Sequence, residues 1–228
     1  MGILDGQVVL VTGSGGTLGK PLIDTIWTEG AITVGCGRSG STKWTERSAY
    51  VKCDLVRDPM SRLIDDTLLH YGRLDSVVSC AGRVGVATMA EYYTLNSMVP
   101  VFLLQTAVEH VGKGLKRFVQ ISGGGATGPA DVPVGYAMSK AAVVRGMEML
   151  AKVYPDVAIN CLAPGDLSKQ SATVAAECAV WLLSPAAQGL TGRIIAAQWD
   201  DWRTWTPERI TSIMSDDSYY TVRRMICA

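Results

Sequence analysis

Apolar residues fall along this chain in short unbroken runs, separated by stretches in which they recur every three or four positions. The first run, Val8, Val9, Leu10 and Val11, is rich in β-branched side chains. Consecutive apolar residues leave no polar side to face water, so the run reads as a strand buried on both faces. Leu22, Ile23 and Ile26 follow at helical spacing. Further strands are expected over residues 32–34, 49–53, 74–79 and 117–122, in the segment that ends at residues 160–165, and over 193–197. Between them the spacing predicts a helix from near Pro59 through Leu63, Ile64, Leu68 and Leu69, and a long one over 89–111 beginning or kinking around Pro100. Two more are expected, one opening at Tyr136 and running to Leu150, the other over 173–183. Residues 40–48 and 126–134 read as loops.

Strands that alternate with helices predict a doubly wound α/β fold, a Rossmann-like seven-stranded and largely parallel sheet with helices on both faces. No linker interrupts the series up to about residue 196, so a single domain over residues 1–228 is expected, its core over about 6–198 and an aromatic tail over 199–228. With 228 residues, 48% of them hydrophobic, the chain is long enough to bury roughly 70–75% of its unfolded surface.

Charge removes several classes of partner. The 21 basic and 21 acidic residues balance, and no basic block stands out beyond Arg223 and Arg224, which argues against nucleic acid. No basic leader precedes an apolar stretch, and no run approaches the roughly 18 apolar residues of a membrane span. No membrane association and a cytoplasmic location are therefore expected. The six cysteines form no C-x-x-C pair and read as reduced, mostly buried thiols, not as disulfides or a metal site. His70 and His110 each end a predicted helix, where a role at the helix terminus is expected.

Candidate chemistry begins after the first strand, in Thr12-Gly13-Ser14-Gly15-Gly16-Thr17-Leu18-Gly19-Lys20. A strand, a glycine-rich turn and a helix together make an anion site, because glycine lets the backbone approach closely and the free N–H groups of the first helical turn point at the guest. Three patterns compete for it. A P-loop fits Gly19-Lys20 but meets Ser14 at the first glycine and Pro21 at the magnesium-binding hydroxyl. The dinucleotide fingerprint G-x-G-x-x-G fits Gly13 and Gly15 and fails at Leu18. T-G-x-x-x-G-x-G fits Thr12, Gly13 and Gly19 and fails at Thr17. At the end of the second strand of a dinucleotide fold an acidic residue suits a ribose 2′-hydroxyl and arginine suits a 2′-phosphate. Here Arg38 and Ser39 stand there with no acid, which favours NADP(H) over NAD(H).

The third of these turn patterns resembles the short-chain dehydrogenase/reductase family, and five further markers follow in that family's order. They are Asp54-Leu55 after the third strand, Cys80-Ala81-Gly82 where the family has Asn-Ala-Gly, Leu95-Asn96-Ser97, Tyr136 with Lys140 four residues on, and Asn160 to Gly165 with Pro164. The resemblance implies an oxidoreductase that interconverts a ketone and a secondary alcohol, with a small-molecule substrate and a dimer or tetramer. It implies that Asp54 meets the adenine, a residue that could equally cap the following helix. It further implies that Tyr136 passes the proton, Lys140 binds the nicotinamide ribose, and Asn96 holds a water in the relay. On one helix face, a lysine ammonium lowers the tyrosine pKa towards working pH. The family's positioning serine falls at Gly123, and Ser122, one residue early, would serve only if the glycine run bulges the strand. Otherwise N–H groups of Gly123, Gly124 and Gly125 would replace the hydroxyl. The family's substrate-covering segment is nearly absent after Gly165, which leaves an open cleft suited to a bulky substrate. The departures at Thr17, Cys80 and Gly123 also keep open a dinucleotide-binding sensor or partner subunit with little redox activity.

Overall fold

The computed structural model describes residues 2–128, 130–165, 167 and 172–222. Among these residues eight strands form one sheet in the order β3-β4-β2-β1-β5-β6-β7-β8. They are β1 (Val8–Thr12), β2 (Ile32–Gly37), β3 (Lys43–Trp44), β4 (Ser48–Lys52), β5 (Ser76–Ser79), β6 (Arg117–Ile121), β7 (Ala158–Ala163) and β8 (Ile194–Ala196). Every pairing is parallel except β3 with β4. The helices are α1 (Gly19–Thr28), α2 (Met60–Tyr71), α3 (Met89–Tyr93), α4 (Val99–Val111), α5 (Val134–Val153), α6 (Ala172–Leu183) and α7 (Pro207–Ser215).

Strand alternation divides the core in two. Val9 and Val11 pack with α1 and α6 on one face, while Val8 and Leu10 pack with α2, α4 and α5 on the other. All four are fully buried, and each such side chain contributes roughly 1.5–3 kcal/mol through burial. The strand order reverses direction between β1 and β5, so the crossovers leave these two strands on opposite faces and open a crevice at their C-terminal ends, where ligands of such sheets sit.

Three expectations change. The sheet has eight strands, because two residues of the expected loop over 40–48, Lys43 and Trp44, add an antiparallel edge opposite Tyr50 and Ala49. Trp44 stacks on His70 at 4.3 Å, which anchors a segment with no apolar alternation of its own. The long helix over 89–111 is three pieces, α3, a π-helical turn over Thr94–Met98, and α4 with Pro100 in its first turn, where a missing N–H costs nothing. Helix α5 begins at Val134, two residues before Tyr136. The aromatic tail divides between core and surface. Trp202 and Trp205 are buried against Trp181 of α6 with ring centroids 5.8 and 5.6 Å away, Tyr220 packs on Trp205, and Trp199 is 67% exposed.

The five cysteines among the described residues are free, four of them buried. Among those residues no helix is long and apolar enough to cross a membrane.

Candidate active site

The glycine-rich turn is built by contacts that only some of its glycines require. Gly13 has φ 65°, and a Cβ there would lie 2.8 Å from the Ala81 Cα; at Gly19 it would lie 2.1 Å from the Gly13 carbonyl oxygen. The backbone after β1 therefore lies directly on the backbone after β5. Thr12 Oγ1 strengthens this join, accepting from the N–H groups of Cys80 and Ala81 at 3.0 Å each. Gly15 has nothing within 4 Å of its Cβ position and faces open space. Thr17 is exposed and keeps a negative φ, since among the described non-glycine residues only Tyr220 has a positive one. The position where glycine was expected thus accepts threonine without strain. Ser14 turns its hydroxyl to the Cys36 carbonyl at 3.3 Å, and Leu18 is buried in the core, so these two present only backbone to the crevice. Helix α1 has no side-chain cap and no acidic residue in its first turn; Lys20 N–H is held by the Gly16 carbonyl at 3.2 Å and Pro21 has none, so the Gly19 N–H and the positive dipole end are what this turn offers an anion.

A Cβ at Gly19 would collide with backbone, which cannot swing aside. Gly19→Ala is expected to abolish dinucleotide binding and to destabilise the fold by about 1–3 kcal/mol, read by calorimetry and by a denaturant midpoint.

At the other end of the crevice a cleft of about 340 Å³ is lined by Arg38, Asp54, Arg57, Arg83, Glu91 and Thr94, among others. Arg83 pairs with Glu91 at 3.2 Å and Arg57 with Asp54 at 4.0 Å. Among the described residues Arg38 makes no ion pair, so it stands in the cleft as an exposed, uncompensated cation. Ser39 offers its carbonyl to the Tyr50 hydroxyl, which pins the turn that carries Arg38. Asp54 neither caps α2, whose N-cap is Pro59, nor extends freely. Its Oδ1 accepts from the Val56 N–H at 3.1 Å and its N–H donates to Asp58 Oδ2 at 2.8 Å, so it closes its own turn. Leu55 is buried beneath it.

Lys140 and Tyr136 share one face of α5. Lys140 is 4% exposed and donates from Nζ to the Ile121 carbonyl at 2.9 Å. Burial pushes its ammonium down to about 8. Its Nζ lies 5.8 Å from the Tyr136 ring centroid. Burial raises the Tyr136 phenol above its ordinary value, and at this separation desolvation outweighs the lowering expected from the ammonium. The Tyr136 ring meets Tyr92 edge-on at 6.3 Å, and the Tyr92 hydroxyl donates to the Gly85 carbonyl.

The residue against Tyr136 is Gly123, not Ser122. A Cβ at 123 would lie 2.1 Å from the Tyr136 hydroxyl oxygen, so that oxygen stands where a side chain at 123 would begin. Ser122 is buried, and among the described residues its Oγ has no partner. Pro164 and Gly165 leave β7 beside it, with Ser122 N–H on the Leu162 carbonyl at 2.8 Å and Gly165 at φ 87°.

Asn96 is fully buried in the π-helical turn, a widening often found at functional sites. Its Oδ1 accepts from the Arg83 N–H at 2.7 Å, and its Nδ2 donates to the Arg83 carbonyl at 2.9 Å and to Ser139 Oγ at 3.1 Å. Both Nδ2 hydrogens are thus used, and Asn96 clasps the loop after Gly82 to α5. Gly82 stands between the two candidate groups, its Cβ position 3.3 Å from Asn96 Oδ1 and 3.5 Å from Lys140 Nζ. Burial raises the Cys80 thiol to about 12, which leaves it unreactive as a nucleophile.

Sequence reasoning passed over Ser139, which links Asn96 to the Tyr136 carbonyl (2.7 Å), and Arg83. The first was findable, since residue 139 shares the face of Tyr136 three positions on. Arg83 acts through its backbone and carries no side-chain signal.

The family model described as short chain dehydrogenase matches residues 7–177. This chain belongs to the short-chain dehydrogenase/reductase family. It is 28% identical over 180 residues to L-fucose dehydrogenase of Bos taurus, a match that covers 71% of this chain and 66% of that one. It is 31% identical over 185 residues to the hydroxynaphthalene reductase-like protein Arp2 of Metarhizium guizhouense, covering 71% and 68%. The chain thus spans about two thirds of the length of these two relatives. A short-chain dehydrogenase/reductase from Serratia marcescens superposes with a TM-score of 0.75 at 22% identity, over 85% of this chain and 96% of that one. Thermoplasma acidophilum aldohexose dehydrogenase does so with a TM-score of 0.75 at 17% identity, over 85% and 92%. At these identities the likeness to the solved structures is one of fold.

The family is one of oxidoreductases that bind a nicotinamide dinucleotide. The crevice fits such a group on its own terms, with a backbone cradle at Gly13 and Gly19, an uncapped helix end for a pyrophosphate and an uncompensated arginine further out.

Proposed function

We propose that this chain is an NADP(H)-dependent oxidoreductase that interconverts a ketone and a secondary alcohol on a bulky, apolar substrate. The observation that carries the reading is the grouping of Tyr136 and Lys140, ring centroid and Nζ 5.8 Å apart, beside Gly82, with the cleft that holds Arg38 opening at the neighbouring Arg83. Gly13 to Gly19 and the start of α1 would hold the pyrophosphate, Arg38 and Ser39 the adenosine 2′-phosphate, and Lys140 the nicotinamide ribose. Ala81, Gly82, Pro164 and Gly165 would line the path between. When bound, the nicotinamide supplies or accepts the hydride. Tyr136 gives its proton to the carbonyl oxygen, or takes one from the alcohol in reverse. Lys140, charged below about pH 8, stabilises the phenolate left behind. With glycine at 123, N–H groups of Gly123 to Gly125 replace the hydroxyl that would orient the carbonyl.

The mouth of the site supports an apolar substrate. Val84 and Val86 on the loop after Gly82, Met89 of α3, and Val134 and Met138 of α5 are all exposed. Helices α3 and α5 adjoin, since a Cβ on Gly135 would lie 2.7 Å from Met89 Sδ and 2.8 Å from a ring carbon of Tyr92, and the Tyr92 hydroxyl ties the loop to α3 at the Gly85 carbonyl. An exposed apolar group of this kind marks a surface that meets a ligand. A homo-oligomer is also proposed, with exposed Met98, Phe102, Met149 and Val153 available for its contacts.

Arg38→Ala removes one charge-assisted contact and is expected to weaken NADPH binding roughly tenfold to a hundredfold while leaving NADH binding unchanged, by calorimetric titration. The function itself is tested by following oxidation of NADPH with a panel of cyclic and aromatic ketones. A second reading, a dinucleotide-binding sensor or partner subunit with little redox activity, is favoured by one observation, the Tyr136 hydroxyl seated in the space of the missing serine. Retained NADPH binding without turnover on any ketone would select it.

A further inference from the structure

Gln120 of β6 is fully buried. Along β6, Phe118 packs in the core under α5 while Val119 and Ile121 pack in the opposite one, so alternation puts Gln120 on the α5 side, where Lys140 lies. A buried amide on a strand of apolar neighbours is costly unless its groups find partners. Its Nε2 donates to the Ile121 carbonyl at 2.6 Å, the same oxygen that accepts from Lys140 Nζ at 2.9 Å. Among the described residues its Oε1 has no partner. A carbonyl oxygen has two lone pairs, and this one is saturated by the two donors.

We propose that Gln120 is a positioning residue for Lys140. Its amide occupies one lone pair of the Ile121 carbonyl and confines the ammonium to the other, on the side of Gly82 and Asn96. When the ammonium leaves the strand for a ligand in the crevice, Gln120 stays and keeps that oxygen hydrogen-bonded. The departure then orphans no buried acceptor. The kinetic consequence rests on the oxidoreductase reading, whereas the pairing of the two side chains does not.

The titratable groups that face Lys140 are Cys80 at the end of β5, Cys161 of β7 and Tyr136 on its own helix. Burial raises both thiols and the phenol, which holds them neutral near pH 8. Glu148, felt at Cys161, is paired with Arg145 at 2.7 Å. A charge placed at position 120 therefore acts on Lys140 without a competing titration beside it.

The test is a heteronuclear magnetic resonance titration of the lysine-labelled protein, with the Gln120 side-chain amide followed in the same samples. In the wild-type chain the Lys140 resonance is expected to titrate near 8, and the Gln120 amide signal to move with the same midpoint. A Gln120 signal that stays still through that transition overturns the proposal without any variant. In Gln120→Glu a carboxylate beside the ammonium favours its charged form and is expected to raise the Lys140 midpoint by about one pH unit or more; an unmoved midpoint in the folded variant also overturns it. In turnover, Gln120→Leu is expected to lower kcat about tenfold with little change in KM for the ketone, and the basic limb of the Gln120→Glu pH profile should move upward with the Lys140 midpoint. A wild-type chain that turns over no ketone sinks the functional reading, and the resonance titration still decides the pairing.

Discussion

Replacing Tyr136 by phenylalanine is expected to lower turnover by about 10²–10⁴, the range that a positioned acid or base contributes, and to leave NADPH affinity unchanged. The substitution removes one oxygen and nothing else. The ring keeps its edge-on contact with Tyr92 and its place over Lys140, so the packing of α5 is preserved. The hydroxyl makes no hydrogen bond that holds the fold, its near neighbour being the backbone of Gly123. A loss of kcat with an unchanged dinucleotide affinity and unchanged thermal midpoint therefore isolates the proton-transfer role. A phenylalanine variant that turns over within tenfold of the wild type would remove Tyr136 from the mechanism.

Gly123→Ala is expected to cost about 10² in kcat, although it adds a single methyl group. The new Cβ would lie 2.1 Å from the Tyr136 hydroxyl oxygen and 3.1 Å from Cζ, so the ring must withdraw by about 1 Å to reach ordinary contact. Misplacement on that scale costs about a hundredfold in rate. Dinucleotide affinity should hold, because the displaced group is not part of the phosphate cradle. Serine at 123 begins with the same Cβ and is expected to be no more active than alanine, even though it restores the residue usual in the family. A serine variant faster than the wild type would show that the tyrosine moves aside freely and that glycine here is a loss, not a fit.

What the sequence disclosed and what it withheld follow from how each feature is encoded. The consecutive apolar residues of β1 belong to two cores at once, and that requirement is written in the run itself. Gly13 and Gly19 are likewise legible, because close backbone approach excludes every other residue there. Strand β3 was not, since Lys43 and Trp44 pair with β4 only after His70 of a distant helix supplies a ring to stack on. Of the two roles Asp54 offered in sequence, the helix cap falls to Pro59, and Asp54 also closes its own turn, whose geometry appears only in three dimensions. Asn96 carries a marker in sequence, but its partners, an arginine backbone and Ser139, carry none. Alternation already pointed Ser122 away from the position of the family's serine; that the Tyr136 hydroxyl would fill the space at Gly123 was not encoded in either residue alone.

The most direct single measurement is a calorimetric titration of the wild-type protein with NADPH and, separately, with NADH. The expected result is saturable binding of NADPH at least roughly tenfold tighter than that of NADH, the margin that one charge-assisted contact at Arg38 supplies. Binding of neither dinucleotide would contradict the assignment of the crevice at its foundation, and equal or tighter binding of NADH would contradict the role given to Arg38.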